Sequence, residues 1–134
     1  MTTRFAPTRV ALAAVAAGAL ILSATGIASA HASLDHANIK PGEVFQANAY
    51  PRTLTGFFAE NVKPSVSFLH VFEADPKGDH AMVDTGKNSF PFKNLKEIVA
   101  TLPKGLKGVY TVMWYTVSAD DGHTAGFTFN FTVN

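Results

Sequence analysis

Apolar and polar residues alternate most sharply at the C-terminus, where Phe127, Phe129, Phe131 and Val133 are interleaved with Thr128, Asn130 and Thr132. A period of two assigns the first set to one face of a strand and the second set to the other, so a half-buried strand is expected. Ahead of it, Val109 to Val117 (VYTVMWYTV) is rich in β-branched and aromatic residues on both faces, as in a central strand. The segment between them, Ser118 to Gly126 (SADDGHTAG), is too polar and too rich in Asp and Gly to continue either strand and predicts a hairpin loop. Further upstream, Thr53 to Ala59 and Ser65 to Glu73 read as strands separated by Asn61 to Pro64, with weaker strands over Ala81 to Asp84 and Glu97 to Leu102. Asp75 to Asp79 and Pro103 to Gly105 are turns by composition. Asn94 to Ala100 is the one short helical candidate, and Lys40 to Tyr50 reads as an irregular lead-in. The pattern predicts an all-β domain, a two-sheet sandwich or a small barrel.

The first thirty residues follow a different rule. Arg4 and Arg9 precede an apolar run from Val10 to Leu22, which is followed by Ala28-Ser29-Ala30. This is the order of a secretory signal: a positive start, a short apolar stretch, and small residues at the cut. The run is shorter than the roughly 20 residues needed to span a bilayer. Residues 1–30 are therefore expected to be removed, leaving a single domain of residues 31–134 in the periplasm or otherwise outside the cell membrane.

Removing Arg4 and Arg9 leaves nine Lys and Arg against ten Asp and Glu, close to neutrality. No basic stripe argues for a nucleic-acid partner. The absence of cysteine excludes disulfides, thiolate metal sites and a cysteine nucleophile. Stability must come from the apolar core, with whatever a bound metal adds; of the 11 Phe all but Phe5 lie after the signal, with the 3 Tyr and 1 Trp.

Two features carry candidate chemistry. Cleavage after Ala30 makes His31 the N-terminal residue, whose free amine and ring Nδ1 can close a chelate on one ion. The amine has an ordinary pKa of about 7.7–8.0, so a metal can displace its proton near neutral pH. Paired nitrogens suit Cu(II), which favours tetragonal N,O sites. The second feature is Asp121-Gly122-His123 in the expected hairpin loop, a carboxylate and an imidazole separated by a glycine that lets the backbone turn. With His31 they make three nitrogens and one oxygen. The plain alternatives are a histidine that signal peptidase tolerates at the cut, and an ordinary Asp-Gly turn followed by an exposed histidine.

The segment VSADDGHTAG (117–126), with GVYTVMW (108–114) before it and Phe127-Thr128-Phe129 after it, resembles the C-terminal signature of the CopC/PcoC-type copper-resistance proteins. The start at His31-Ala32-Ser33-Leu34 and the run LTGFFAENV (54–62) are similar to that family as well. The resemblance implies a cupredoxin-like, immunoglobulin-like Greek-key β-sandwich or barrel. It also implies a periplasmic carrier of one Cu(II) ion, bound by the amine and ring of His31 with Asp121 and His123, and with Glu60 close to the amine. Such a carboxylate orients the amine and raises its basicity. The bland alternative for Glu60 is a solvated strand end. The resemblance further implies a monomer that buffers copper or delivers it to a membrane copper transporter on a separate chain.

The sequence departs from the family at Ala32, where some members carry proline, and at Asp120, a rival ligand beside Asp121. Only Met82 and Met113 remain after the signal, too few for the methionine-rich Cu(I) loop of some relatives. Among the other histidines, His70 is expected to be structural and His80 solvated, with His36 a possible alternative ligand. An N-terminal histidine with a second histidine also resembles the copper brace of lytic polysaccharide monooxygenases, an oxidative enzyme. The chain is short for a flat substrate platform, and a coordinated Asp121 would leave no easy place for oxygen. A metal-free immunoglobulin-like interaction module is the third class. No nucleophile–base order or phosphate-binding loop points to other catalysis.

Overall fold

The computed structural model describes residues 32–74, 80–91 and 94–134. The expected signal segment 1–30, His31 and the expected turn 75–79 lie outside the described residues. Among the described residues there are eight strands: β1 (Leu34–Ala37), β2 (Val44–Phe45), β3 (Thr53–Phe58), β4 (Phe68–Glu73), β5 (Asn88–Ser89), β6 (Glu97–Thr101), β7 (Gly108–Val117) and β8 (Thr124–Val133). They form two four-stranded sheets, ordered β1-β3-β6-β5 and β2-β8-β7-β4. From β1 to β5 consecutive strands fall in opposite sheets, and each sheet is completed by one consecutive pair, β5 with β6 and β7 with β8. This is the two-sheet sandwich that the alternation predicts. Among the described residues no helix is long and apolar enough to cross a membrane.

Inward positions follow strand parity. Leu54 and Phe58 of β3, Leu69 and Val71 of β4, and Ile98 and Ala100 of β6 are buried, as are Tyr110, Val112 and Trp114 of β7. Aromatic rings meet in the interior: Phe58 meets Trp114 of the opposite sheet edge-on at 5.6 Å, and Tyr110 stacks on Phe131, its partner on the neighbouring strand, at 5.4 Å. Such pairs add to what burial of their area supplies.

The strands differ from expectation in instructive places. Asn94–Ala100 is not helical, because β6 pairs along β3 from Thr101↔Thr53 to Glu97↔Phe57. Tertiary pairing overrides a weak local preference. The segment expected as a strand from Ser65 begins instead at Phe68, and residues 64–66 form a turn. Ala81 to Asp84 makes only a bridge, Met82 to Phe72. The short strands β1, β2 and β5 lack a period of their own and exist because an edge was available to pair with.

Phe127 is the clearest correction. It has the parity of Phe129 and Phe131 and pairs with Trp114, yet it is 71% exposed. Its side of the hairpin lies at a sheet edge, since β2 flanks β8 only at Thr132 and Val133. Parity chooses the face, but burial requires something to cover it. Phe131→Ala is therefore expected to cost about 3–5 kcal/mol of unfolding free energy. Phe127→Ala should stay within about 0.5 kcal/mol. Urea denaturation of the two variants checks the contrast.

Candidate metal centre

Strands β7 and β8 run in continuous antiparallel register from Gly108↔Val133 to Val117↔Thr124, so the connecting loop is only residues 118–123. The loop is shorter than expected because Thr124 to Gly126, polar though they are, pair with β7. Two backbone bonds close it. Ser118 N–H donates to the His123 carbonyl at 2.8 Å, and Gly122 N–H donates to the Ser118 carbonyl at 3.1 Å. The second is a single helical turn, and Gly122 ends it at φ +75°, a left-handed conformation that glycine adopts without steric cost.

This turn brings Asp121 and His123 together. The His123 N–H donates to Asp121 Oδ1 at 3.0 Å, and the His123 ring Nδ1 lies 2.7 Å from Asp121 Oδ2. Both side chains are open to solvent, that of His123 at 61%. The ring bond and then the backbone N–H of His123 pull the Asp121 carboxyl down to about 2. In return, the bond to Asp121 and its charge raise the His123 pKa, with the nearby charge of Glu60 adding to the effect. The pair is a hard oxygen and an imidazole nitrogen on one exposed, well-braced turn, a donor combination suited to a divalent transition metal.

The connection from β3 to β4 braces the loop from the side. Ala119 N–H donates to the Asn61 carbonyl and Lys63 N–H to the Val117 carbonyl, each at 2.8 Å. Val117 N–H donates to Ser67 Oγ at 3.0 Å, and Val62, fully buried, bridges to Ser118. Glu60 sits where β3 gives way to this connection, and its Oε2 accepts the Ser118 hydroxyl at 2.7 Å. Glu60 is thus tied to the loop and is not a loose strand end. Asp120, the rival carboxylate, is exposed, and its N–H donates to Ser118 Oγ at 3.2 Å.

His31 lies outside the described residues, but Ala32 is described and fully buried. Its carbonyl accepts the hydroxyl of Thr116, the residue of β7 two positions before Ser118. Ala59 N–H donates to the Ser33 carbonyl at 3.0 Å. The chain therefore enters the sandwich beside the end that bears Glu60, Asp121 and His123. Among the described residues, no three His, Asp or Glu side chains gather into a metal-holding group.

The remaining histidines are engaged elsewhere. His36 stacks on Phe57 at 4.3 Å and pairs with Asp35 at 2.8 Å, across an irregularity in the β1–β3 register. His70 is partly buried, stacked on Phe68 and 3.3 Å from Asp84, in keeping with a structural role. Sequence reasoning missed Asp84: it is buried and accepts the Gly86 N–H, a local turn within Asp84-Thr85-Gly86, and the Val71 N–H, a reach that no local pattern announces, at 2.6 Å each. His80 is exposed and its Nδ1 lies 3.2 Å from the Glu73 carbonyl. Met113, though inside β7, faces outward and is 39% exposed.

These features define a small immunoglobulin-like β-sandwich with an imidazole–carboxylate pair on the turn of its longest hairpin. The CopC domain model matches residues 34–134, and the chain belongs to the CopC family. Among solved structures, CopC from Methylosinus trichosporium OB3b is 23% identical, with 78% of this chain and 94% of that chain covered at a TM-score of 0.61. PcoC from Escherichia coli, described as a methionine-rich copper resistance protein, is also 23% identical, with 78% and 100% covered at a TM-score of 0.62. None of the curated proteins compared with the chain matches it.

A titration of the metal-free protein tests the pair. The raised His123 pKa means that its attraction to Asp121 is fully present below the ordinary histidine value of 6.5 and fades as pH rises through the raised one. The lowered Asp121 pKa means that the same attraction is present above 3.8 and is lost as pH falls through about 2. NMR of the His123 ring should show a midpoint above 6.5, and Asp121→Asn should bring it down.

Proposed function

We propose that this protein is an exported, non-enzymatic Cu(II)-binding protein that buffers copper or carries it to a membrane transporter on a separate chain. Processing after Ala30 frees the His31 amine. One Cu(II) ion is then held by that amine, the His31 ring, Asp121 and His123, while Glu60 orients the amine. The metal is cargo, and the protein works as a monomer outside the cell membrane.

The observation that carries this reading is the Asp121–His123 pair, with the ring nitrogen and the carboxylate oxygen 2.7 Å apart on a braced turn. Two donors each about 2.0 Å from an ion and at right angles to one another lie at nearly that separation. The separation thus suits one shared ion, which would replace the proton between them once the His123 ring turns its lone pair from the carboxylate toward the metal. The burial of Ala32 and its bond to Thr116 support a short reach from residue 31 to the same end of the sandwich. Membership in the CopC family and the fold shared with a copper resistance protein favour a carrier over an oxidative enzyme.

Correctly processed protein with one equivalent of Cu(II) is expected to give an EPR spectrum of three nitrogens and one oxygen. A single extra Met ahead of His31 removes the chelating amine, so affinity should fall by orders of magnitude while the metal-free protein melts as before. His123→Ala should also weaken binding, whereas His80→Ala should not. An extended form that binds as tightly as the processed one would refute the site. Specific binding must also stabilise the fold, by about 4 kcal/mol at a thousandfold excess over Kd, and thermal melting with and without Cu(II) checks it.

A further inference from the structure

Ser118 is fully buried, although it opens an otherwise exposed loop. Its hydroxyl donates to Glu60 Oε2 at 2.7 Å, and Ser118 Oγ itself accepts the Asp120 N–H at 3.2 Å. Its backbone accepts from Gly122 N–H and donates to the His123 carbonyl. One residue therefore grips the turn at three places and ties it to the neighbouring connection through a carboxylate. A buried hydroxyl needs a partner, but any backbone carbonyl would satisfy that need. A carboxylate acceptor instead makes a charge-assisted bond, shorter and stronger than a neutral one. That bond holds the Glu60 side chain in one orientation against the loop.

Building on the copper-binding function above, we propose that Ser118 is the positioning residue of the metal loop. It locks Glu60 and the turn bearing Asp121 and His123 into one rigid unit before the ion arrives. Groups fixed in advance lose less freedom on binding, and partners that orient ligands typically alter metal affinity by about 10–100-fold. Ser118 is no ligand. It acts through Glu60 and through the backbone of the turn.

The test compares wild type, Ser118→Ala, Glu60→Gln and the double variant, each processed to begin at His31. Three quantities are read: the melting midpoint without metal, the Cu(II) Kd by chelator competition, and the Cu(II) hyperfine splitting by EPR. Ser118→Ala should raise Kd about 10-fold and shift the hyperfine splitting, and Ser118→Thr, which keeps the hydroxyl, should restore both. Because the two residues share one bond, the loss in the double variant should be smaller than the product of the two single losses. If Ser118→Ala does not fold, Ser118→Val set against Ser118→Thr makes the same comparison, since the two side chains have nearly the same shape and only threonine has the hydroxyl. A lower melting midpoint with wild-type Kd and splitting would overturn the positioning role, and so would losses that multiply in the double variant. Wild-type protein that takes up no Cu(II) would overturn the proposed function and this role with it. Wild-type binding left intact in the Ser118 variants would overturn this role alone.

Discussion

The uninterrupted pairing of β7 with β8, from Gly108↔Val133 at one end to Val117↔Thr124 at the other, decides where the chain must turn. A slip of one residue would send Tyr110, Val112 and Trp114 to the outside, and the core opposes it strongly. Because the register is so firmly held, the six residues that close the hairpin are left little choice of shape. Gly122 supplies the left-handed step, and the ring of His123 comes back onto the carboxylate of Asp121. The chemistry of the exposed turn thus rests on packing far below it.

Rigidity from below would not be enough for a loop open to solvent on its far side. The β3–β4 connection supplies the rest through backbone bonds at Ala119 and Lys63, the buried Val62, and the Glu60–Ser118 contact. These partners come from the opposite sheet and its crossover, so the two halves of the sandwich meet at the candidate centre. The N-terminal segment arrives at the same end, tied by Ala32 to Thr116. Stretches so far apart in sequence reach one end of the molecule only when the sheets are already stacked, and a dry core beneath keeps Asp121, His123 and Glu60 in fixed relation.

Histidine pairings elsewhere show why the residue type alone says little. His36 with Asp35, His70 with Asp84 and His123 with Asp121 are all imidazole–carboxylate contacts. His70 and Asp84 serve the fold, one partly buried and the other fully, with Asp84 holding two backbone N–H groups. His36 leans on an aromatic ring. His123 differs in its setting on a braced, exposed turn next to Glu60, and its raised pKa records both neighbouring acids.

Local pattern was enough to announce the long strands, the hairpin between them and the Asp121–His123 pair, because a period of two and an Asp-Gly turn are properties of neighbouring residues. The charged, apolar and small-residue order of the first thirty positions is likewise a property of neighbouring residues, and the cleavage expected from it lies outside the described residues. Contacts between distant segments stayed hidden: the pairing of β1, β2 and β5, the reach of Asp84 to Val71, the exposure of Phe127, and the bond from Ser118 to Glu60, 58 residues apart. Each depends on which surface another part of the chain covers or which edge it leaves open. Only the stacking of two sheets decides that, since burial and long-range hydrogen bonds belong to the assembled molecule and to no single stretch of it.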